Sequence, residues 1–167
     1  LYGNAKQVTE IFEQMKLEGV KPNESTMVSI LEACSMSKAL KEGEIVHASV
    51  IQMGYEKFPI VGNALINMYA NCGSLRAAQT TFDAMEERNL VSWNTMMSAF
   101  VQNHRDMSAV YLFNRMLLEC VLPDKISLLC ILDACSKVEY VEQGLIIHVF
   151  IVNEGYDQNM AVSTALS

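Results

Sequence analysis

The fold is decided by two adjacent stretches, PIVGNALINMYANCGSLRAAQTTFDAMEERN (residues 59–89) and LVSWNTMMSAFVQNHRDMSAVYLFNRMLLECVLPD (residues 90–124). When the second is placed under the first with an offset of 31, Asn63 falls on Asn94, Phe82 on Phe113 and Met85 on Met116. Two stretches of one pattern, 31 and 35 residues long, indicate a solenoid of stacked helical hairpins.

A second pair of units supports this interpretation. ILEACS at residues 30–35 matches ILDACS at residues 131–136, and His47 matches His148, both at an offset of 101. That offset equals three unit lengths of 35, 31 and 35 residues. The pattern of the unit at 24–58 therefore recurs at 125–159. Residues 1–23 and 160–167 belong to further, partial units.

Each unit is predicted to contain two helices with an apolar face, because apolar residues recur at helical spacing. The unit at 24–58 should have helices over about 26–35 and 40–53. Gly19 and Gly54 are expected to end helices, and Ser74 to cap one. The predicted core comprises Val8, Ile11, Phe12, Met15, Met27, Ile30, Leu31, Cys34, Ile45, Val46, Val50, Leu65, Ile66, Met68, Tyr69, Trp93, Met96, Met97, Phe100, Val110, Phe113 and Met116.

Composition excludes several classes of protein. Hydrophobic residues make up 51% of the chain and there are only 3 prolines, which argues against disorder. The longest apolar run, residues 145–152, is too short to cross a bilayer. No targeting segment is visible. The 5 cysteines include no Cys-x-x-Cys pair, and their odd number argues against a disulfide framework, so we expect small buried hydrophobic side chains rather than metal ligands.

The motifs of the four central units resemble the pentatricopeptide repeat family, in particular its plant PLS subclass. The units at 24–58 and 125–159 carry the L-type Ala-Cys-Ser, Gly-x-x-x-His and Gly-Tyr pattern, the unit at 59–89 the S-type VGNALINMYANCGSL, and the unit at 90–124 the P-type Val-Ser-Trp-Asn. The resemblance implies an all-α, right-handed α-solenoid. It also types residues 1–23 as a partial P repeat and 160–167 as the start of an S repeat.

In this family one repeat reads one RNA base, and the resemblance assigns the reading to the fifth and last residues of each repeat. It thereby pairs Asn63 with Asn89 and Asn94 with Asp124. By the family code, Asn with Asn favours C and then U, whereas Asn with Asp favours U. An Asn amide both donates and accepts hydrogen bonds, so it suits the edge of a pyrimidine. The second residues of the repeats are implied to sandwich the bases; these are Ile60, Val91, Ile126 and Ala161.

The remaining fifth and last residues are assigned weaker base-reading roles or none. Thr164 suggests a purine reader, while Asn23 and Asn159 are last residues with weaker roles. The L repeats place Val28 beside Phe58 and Leu129 beside Asn159 as their fifth and last residues; an aliphatic side chain cannot hydrogen-bond to a base. The implied motif, from 5′ to 3′, is any base, C or U, U, any base.

The charge of −7, with a pI near 4.9, opposes simple electrostatic binding to nucleic acid. The first helix of each unit is nearly uncharged, however, with only Glu32 and Asp133 expected there. Recognition through base contacts and shape needs less phosphate neutralisation. The acidity keeps a second hypothesis open, namely a solenoid scaffold that binds protein.

No enzyme site is expected. Some PLS proteins end in a zinc-dependent deaminase domain, but that chemistry needs His-x-Glu and Cys-x-x-Cys motifs, which this chain lacks. The equivalent positions of His47 and His148 favour packing or hydrogen bonding. The resemblance implies no cofactor, and single-stranded RNA of a mitochondrial or chloroplast transcript as partner, with editing-complex proteins as a second class and neither membrane nor DNA. It further implies selection of sites for C-to-U RNA editing.

Overall fold

The computed structural model describes residues 5–138, and this part of the chain is helical without any strand. The prediction of an all-α fold is confirmed. Eight helices occur between residues 5 and 138: α1 (Ala5–Leu17), α2 (Glu24–Met36), α3 (Leu40–Met53), α4 (Pro59–Asn71), α5 (Leu75–Ala84), α6 (Leu90–Gln102), α7 (Asp106–Leu118) and α8 (Lys125–Val138).

The chain divides into two compact units, the first reaching Ser92 and the second beginning at Trp93. Within the first unit, α1 packs on α2 and α3, α2 packs on α3 and α4, and α4 packs on both α3 and α5. Within the second unit, α7 packs on α8. Since each helix contacts helices close to it in sequence, the packing is that of a repeat protein.

The predicted core is largely confirmed. All four residues predicted for α2 are buried, as are the predicted aromatic and sulfur-containing residues of α4, α6 and α7. Two predictions were wrong: Ile11 is 68% exposed and Ile45 is 55% exposed. Each precedes a buried residue, Phe12 and Val46, by one position, so it turns about 100° away from the helix face that packs.

The turns inside the hairpins share one geometry. Lys38, Gly73 and His104 each have a positive φ, of 51°, 79° and 56°. The following residue then donates its N–H to a carbonyl five positions back, for example Ser74 to Tyr69 at 2.8 Å. This is the Schellman pattern, which satisfies carbonyls at the helix end. Gly19 and Gly54 also have φ of +74° just after helices α1 and α3, as predicted.

Two local predictions need correction. Ser74 stands at the start of α5, but its side chain makes no capping hydrogen bond. Cys120 is exposed, because it lies in the turn after α7 with a φ of 57° rather than on a helix face. Cys34 and Cys135 are buried as expected, and all five cysteines are free thiols.

Candidate functional site

The candidate site residues lie at the N-terminal turns of α4 in the first compact unit, and of α6 and α8 in the second. The fifth residues of two units, Asn63 on α4 and Asn94 on α6, are only 9% and 8% exposed. Buried amides need hydrogen-bond partners, because an unpaired buried polar group costs about 1–3 kcal/mol. The partners of these two amides therefore decide what each position can do.

Asn94 lies in a closed polar cluster with Asp124 and Ser127. Its Nδ2 donates to Asp124 Oδ1 at 3.0 Å, although the two residues are 30 positions apart. The Ser127 hydroxyl lies 2.6 Å from Asn94 Oδ1. Fifth and last residues of the unit at 90–124 are thus in direct contact, which is the pair singled out from the sequence.

Asp124 also caps α8. Its Oδ1 accepts from the Ser127 backbone N–H at 2.9 Å, and its own N–H donates to Ser127 Oγ at 3.2 Å. This reciprocal arrangement is a capping box. Burial acts to raise the pKa of Asp124, but the hydrogen bonds from the Ser127 backbone, from the Asn94 amide and from the Ile126 backbone outweigh it, so the pKa is lowered. Asp124 is therefore a carboxylate, able only to accept, at neutral pH.

The cluster leaves Asn94 with capacity to spare. A primary amide has two N–H donors and two acceptor lone pairs. One donor is used by Asp124 and one lone pair by Ser127. One donor and one acceptor remain, which is the complement needed for two adjacent groups on the edge of a nucleobase.

Asn63 lies in a different setting. Its Oδ1 is buried and has no hydrogen-bond partner among residues 5–138. The last residue of its unit, Asn89, uses its Oδ1 to accept from the Ser92 N–H at 3.0 Å and from the Ser92 hydroxyl at 3.1 Å. The structure thus records no bond that joins Asn63 to Asn89, although the sequence pairs them.

The third last residue, Asn23, caps α2. Its Oδ1 accepts from the Thr26 N–H at 2.8 Å, and its N–H donates to Thr26 Oγ1 at 3.3 Å. Phe58, at the same position before α4, has no side chain that can cap, and α4 begins instead with Pro59. Proline is well suited to the first helical position because its φ is fixed and no N–H is lost there.

The sequence interpretation missed the hydroxyl residues of these caps. Thr26, Ser92 and Ser127 each stand three positions after an Asn or Asp and complete the cap. The signal was present, since a polar cap residue followed three positions later by a second polar side chain marks a helix start.

The three described second residues are exposed. Ile60, Val91 and Ile126 are 56%, 58% and 59% exposed, whereas most aliphatic side chains of the same helices are buried. Ile126 also lines an open cavity of about 370 Å³ between α6 and α8, with Leu129 and Cys130 on one side and Ser98, Val101 and Gln102 on the other. An exposed aliphatic side chain thus recurs at the second position of three units, although other aliphatic residues between residues 5 and 138 are equally exposed.

The charge of these helices differs slightly from the prediction. α4 and α6 contain no charged residue, as expected. α2 begins early enough to include Glu24, and α8 includes Lys125 and Lys137 beside Asp133. Lys137 is paired with Asp133 at 2.7 Å. α4 and α6 therefore carry no charge themselves, while the Asp124 carboxylate lies 3.0 Å from Asn94.

His47 has a structural partner. Its Nδ1 lies 2.8 Å from the Tyr69 hydroxyl, and the two rings meet edge to face at 5.5 Å. Burial lowers the pKa of His47, which favours the neutral ring at physiological pH. The predicted hydrogen-bonding role of His47 is confirmed.

Some predictions lie outside the described residues, namely those on Asn159, Ala161, Thr164 and His148. Between residues 5 and 138, no cluster of three or more His, Cys, Asp or Glu side chains could hold a metal ion. None of the helices α1–α8 has the length and apolarity to cross a membrane.

Comparison with known proteins supports one family. Residues 63–90 and 91–121 match the model of the PPR repeat, and residues 1–36 match that of the pentatricopeptide repeat domain. Among Arabidopsis thaliana proteins, the pentatricopeptide repeat-containing protein At1g11290, chloroplastic, is 38% identical over 164 residues, covering 98% of this chain and 20% of that protein. At3g09040, mitochondrial, is 35% identical over 164 residues, covering 98% and 16%. The chain spans about a fifth of such relatives.

Solved structures share the fold. The crystal structure of the pentatricopeptide repeat protein PPR10 from maize matches 98% of this chain and 24% of its own, with a TM-score of 0.77 and 17% identity. PPR10 in complex with an 18-nt psaJ RNA element matches 93% of this chain and 23% of its own, with a TM-score of 0.72 and 19% identity. The predicted α-solenoid of helical hairpins is confirmed.

Proposed function

Because this chain belongs to the pentatricopeptide repeat family, we propose that it binds single-stranded RNA, with successive repeats facing successive bases. PPR10, whose fold it shares, has been crystallised with RNA. The proposal covers recognition only; any deaminase chemistry would belong to residues outside this chain.

The observation that carries the proposal is the contact between Asn94 and Asp124. Two side chains 30 positions apart meet at 3.0 Å at the start of a helix hairpin, and the amide keeps one free donor and one free acceptor. A scaffold that binds protein has no need for a buried amide held in this way. A base reader does, since discrimination requires polar groups of fixed position.

The exposed second residues support base stacking beside the amides. Ile60, Val91 and Ile126 each offer an aliphatic surface that remains more than half exposed. Contact with the faces of bases would bury this surface. Burial of apolar area stabilises a complex by about 25 cal/mol per Å². We assign Ala161 the same role by its position in the repeat.

The proposed reading of the chain follows from the pairs. Asn63 with Asn89 reads C or U, Asn94 with Asp124 reads U, and the units containing Val28 and Leu129 act as spacers. Asn23, Asn159 and Thr164 complete the set at the ends. The net charge of −7 and the absence of cations from α4 and α6 support specificity through base contacts rather than through phosphate.

The finer proposal is a PLS-type factor that selects sites for C-to-U editing in organelle RNA. The unit lengths of 35, 31, 35 and 35 residues support the subclass. Relatives named chloroplastic or mitochondrial support an organelle location. Proteins of an editing complex would then be additional partners.

The test is selection of RNA from a random single-stranded pool by the full-length protein, repeated with Asn94→Thr. We expect a pyrimidine followed by U over these repeats, and a shift of the U toward a purine in the variant, because the shorter Thr hydroxyl leaves room for a larger base. Asn67→Thr, the same change at an exposed position of α4, is the control and should leave the motif unchanged. Enrichment of no RNA, together with specific binding in a peptide-array screen, would favour the protein scaffold.

A further inference from the structure

Ser127 is fully buried and its hydroxyl lies among three groups of the Asn94 cluster. Oγ is 2.6 Å from Asn94 Oδ1, 3.0 Å from Asp124 Oδ1 and 3.2 Å from the Asp124 N–H. A hydroxyl has one hydrogen to donate. The shorter distance assigns that hydrogen to Asn94 Oδ1, and the Asp124 N–H is donated to Oγ.

The two neighbours hold the Asn94 amide in one orientation. The Asp124 carboxylate accepts only, so it must face the Nδ2 group. The Ser127 hydroxyl donates to Oδ1 in this orientation, because Asp124 Oδ1, the other acceptor within its reach, already accepts two N–H groups. If the amide were rotated by 180°, Oδ1 would lie about 3.0 Å from a carboxylate oxygen and Nδ2 would face a hydroxyl whose hydrogen points toward it.

Amide orientation matters because uracil and cytosine present opposite orders of groups. Uracil has an acceptor at O4 next to a donor at N3, whereas cytosine has a donor at N4 next to an acceptor at N3. An amide in one orientation offers its remaining donor and acceptor in one order, and therefore complements one of the two bases at a given position. Rotation of the amide by 180° exchanges the preference.

We propose that Ser127 is a positioning residue which, by donating its hydroxyl hydrogen to Asn94 Oδ1, restricts the repeat at 90–124 to a single pyrimidine. The inference rests on the proposed function, and it assigns a specificity role to a residue of the following repeat. Asp124 fixes one end of the amide and Ser127 fixes the other.

The equivalent serine of the neighbouring repeat provides an internal contrast. Ser92 donates its hydroxyl to Asn89 Oδ1 at 3.1 Å, and Asn63 Oδ1 has no partner among residues 5–138. Among residues 5–138 the Asn63 amide therefore has no hydrogen-bond partner that fixes its orientation. The repeat at 59–89 is therefore expected to accept either pyrimidine, whereas the repeat at 90–124 is expected to select one.

The experiment measures Kd of the full-length protein for a panel of short RNAs that differ only in the base facing the repeat at 90–124. For the wild type we expect U to bind more tightly than C. In Ser127→Ala the ratio of Kd for C to Kd for U should fall by about threefold to tenfold, the factor that corresponds to one neutral hydrogen bond. Ser127→Thr keeps the hydroxyl and should restore the ratio.

Ser92→Ala is the matched control, since it removes the same hydroxyl from a cap without touching the Asn94 cluster. A merely structural role for Ser127 would weaken binding of U and C by equal factors and leave their ratio unchanged, which would overturn the inference. Loss of the ratio in Ser127→Thr as well would also overturn it. If the wild type binds none of the RNAs, the proposed function fails first, and this inference fails with it.

Discussion

Asn94 and Asn63 occupy the same position in two consecutive repeats, yet their surroundings differ. Asn94 is bonded at both ends, to Asp124 and to Ser127. Asn63 is as deeply buried, but its Oδ1 has no partner among the described residues. Equivalence in sequence therefore does not imply equivalence in hydrogen bonding.

The last residue of each repeat explains the difference. One oxygen of Asp124 already accepts the Ser127 N–H at 2.9 Å and the Asn94 amide at 3.0 Å, so its two lone pairs are occupied. The Ser127 hydroxyl therefore donates its hydrogen to Asn94 Oδ1 rather than to Asp124. Within the described part of the chain, Asn89 Oδ1 accepts hydrogen bonds from the N–H and the hydroxyl of Ser92. The chemistry of the last residue thus decides where the serine hydroxyl points.

The largest expected effect comes from removing each amide in turn. Asn94→Leu should lower the free energy of unfolding by about 1–3 kcal/mol, because the buried Ser127 hydroxyl and Asp124 lose a partner. Asn63→Leu should leave it unchanged or raise it by about 1 kcal/mol, because an unpaired buried oxygen is removed. Urea unfolding followed by circular dichroism measures both. Equal destabilisation by the two substitutions would contradict the comparison.

An intermediate effect comes from exchanging the last residues. Asp124→Asn should weaken the preference for U over C at the repeat 90–124 by about tenfold, which corresponds to 1.4 kcal/mol, because the amide loses an obligate acceptor. Asn89→Asp should create a preference for U at the repeat 59–89, since its carboxylate can fix the Asn63 amide. Binding to RNAs that differ at the one base measures each change, and Asn67→Asp is the exposed control for added charge. If neither exchange moves the ratio, the last residue does not govern the amide.

The smallest effect is a dependence on pH that only one of the two pairs should show. The pKa of Asp124 is lowered below its ordinary value of 3.8 in the folded chain. Its contribution to stability is therefore complete above pH 3.8 and is lost as the pH falls through the lower, folded value. The difference in urea midpoint between wild type and Asp124→Asn should shrink below about pH 4. Asn89→Ala, which removes no titrating group, should show a constant difference from wild type.

The periodicity of apolar residues predicted the helices well, because helix boundaries depend on residues close in sequence. The second helix of the unit at 24–58 was expected over residues 40–53 and is found at Leu40–Met53. Burial was predicted less accurately at the edges of the packed faces, where Ile11 and Ile45 are exposed. Spacing places a residue on a face, but the angle at which the partner helix packs decides how wide that face is.

The candidate site was predictable as a set of positions but not as a network. The fifth and last residues could be read from the sequence, and Asn94 does contact Asp124. The roles of Ser92 and Ser127 were missed because a hydroxyl can donate to any of several neighbours. Its choice depends on which acceptors are already occupied, and that requires the positions of atoms from two repeats.

The double use of Asp124 limits which sequences this kind of protein can acquire. One carboxylate both fixes the Asn94 amide and caps the first helix of the next repeat. Side chains that cap helices well are Asn, Asp, Ser and Thr, and alanine in their place costs about 1 kcal/mol. Under the proposed function, a substitution of Asp124 that changes the base read by its repeat also changes the cap of α8, and so the stability of the next repeat. If this position reads RNA as proposed, the side chains available to it are the few good helix caps, which limits how freely new RNA targets can evolve.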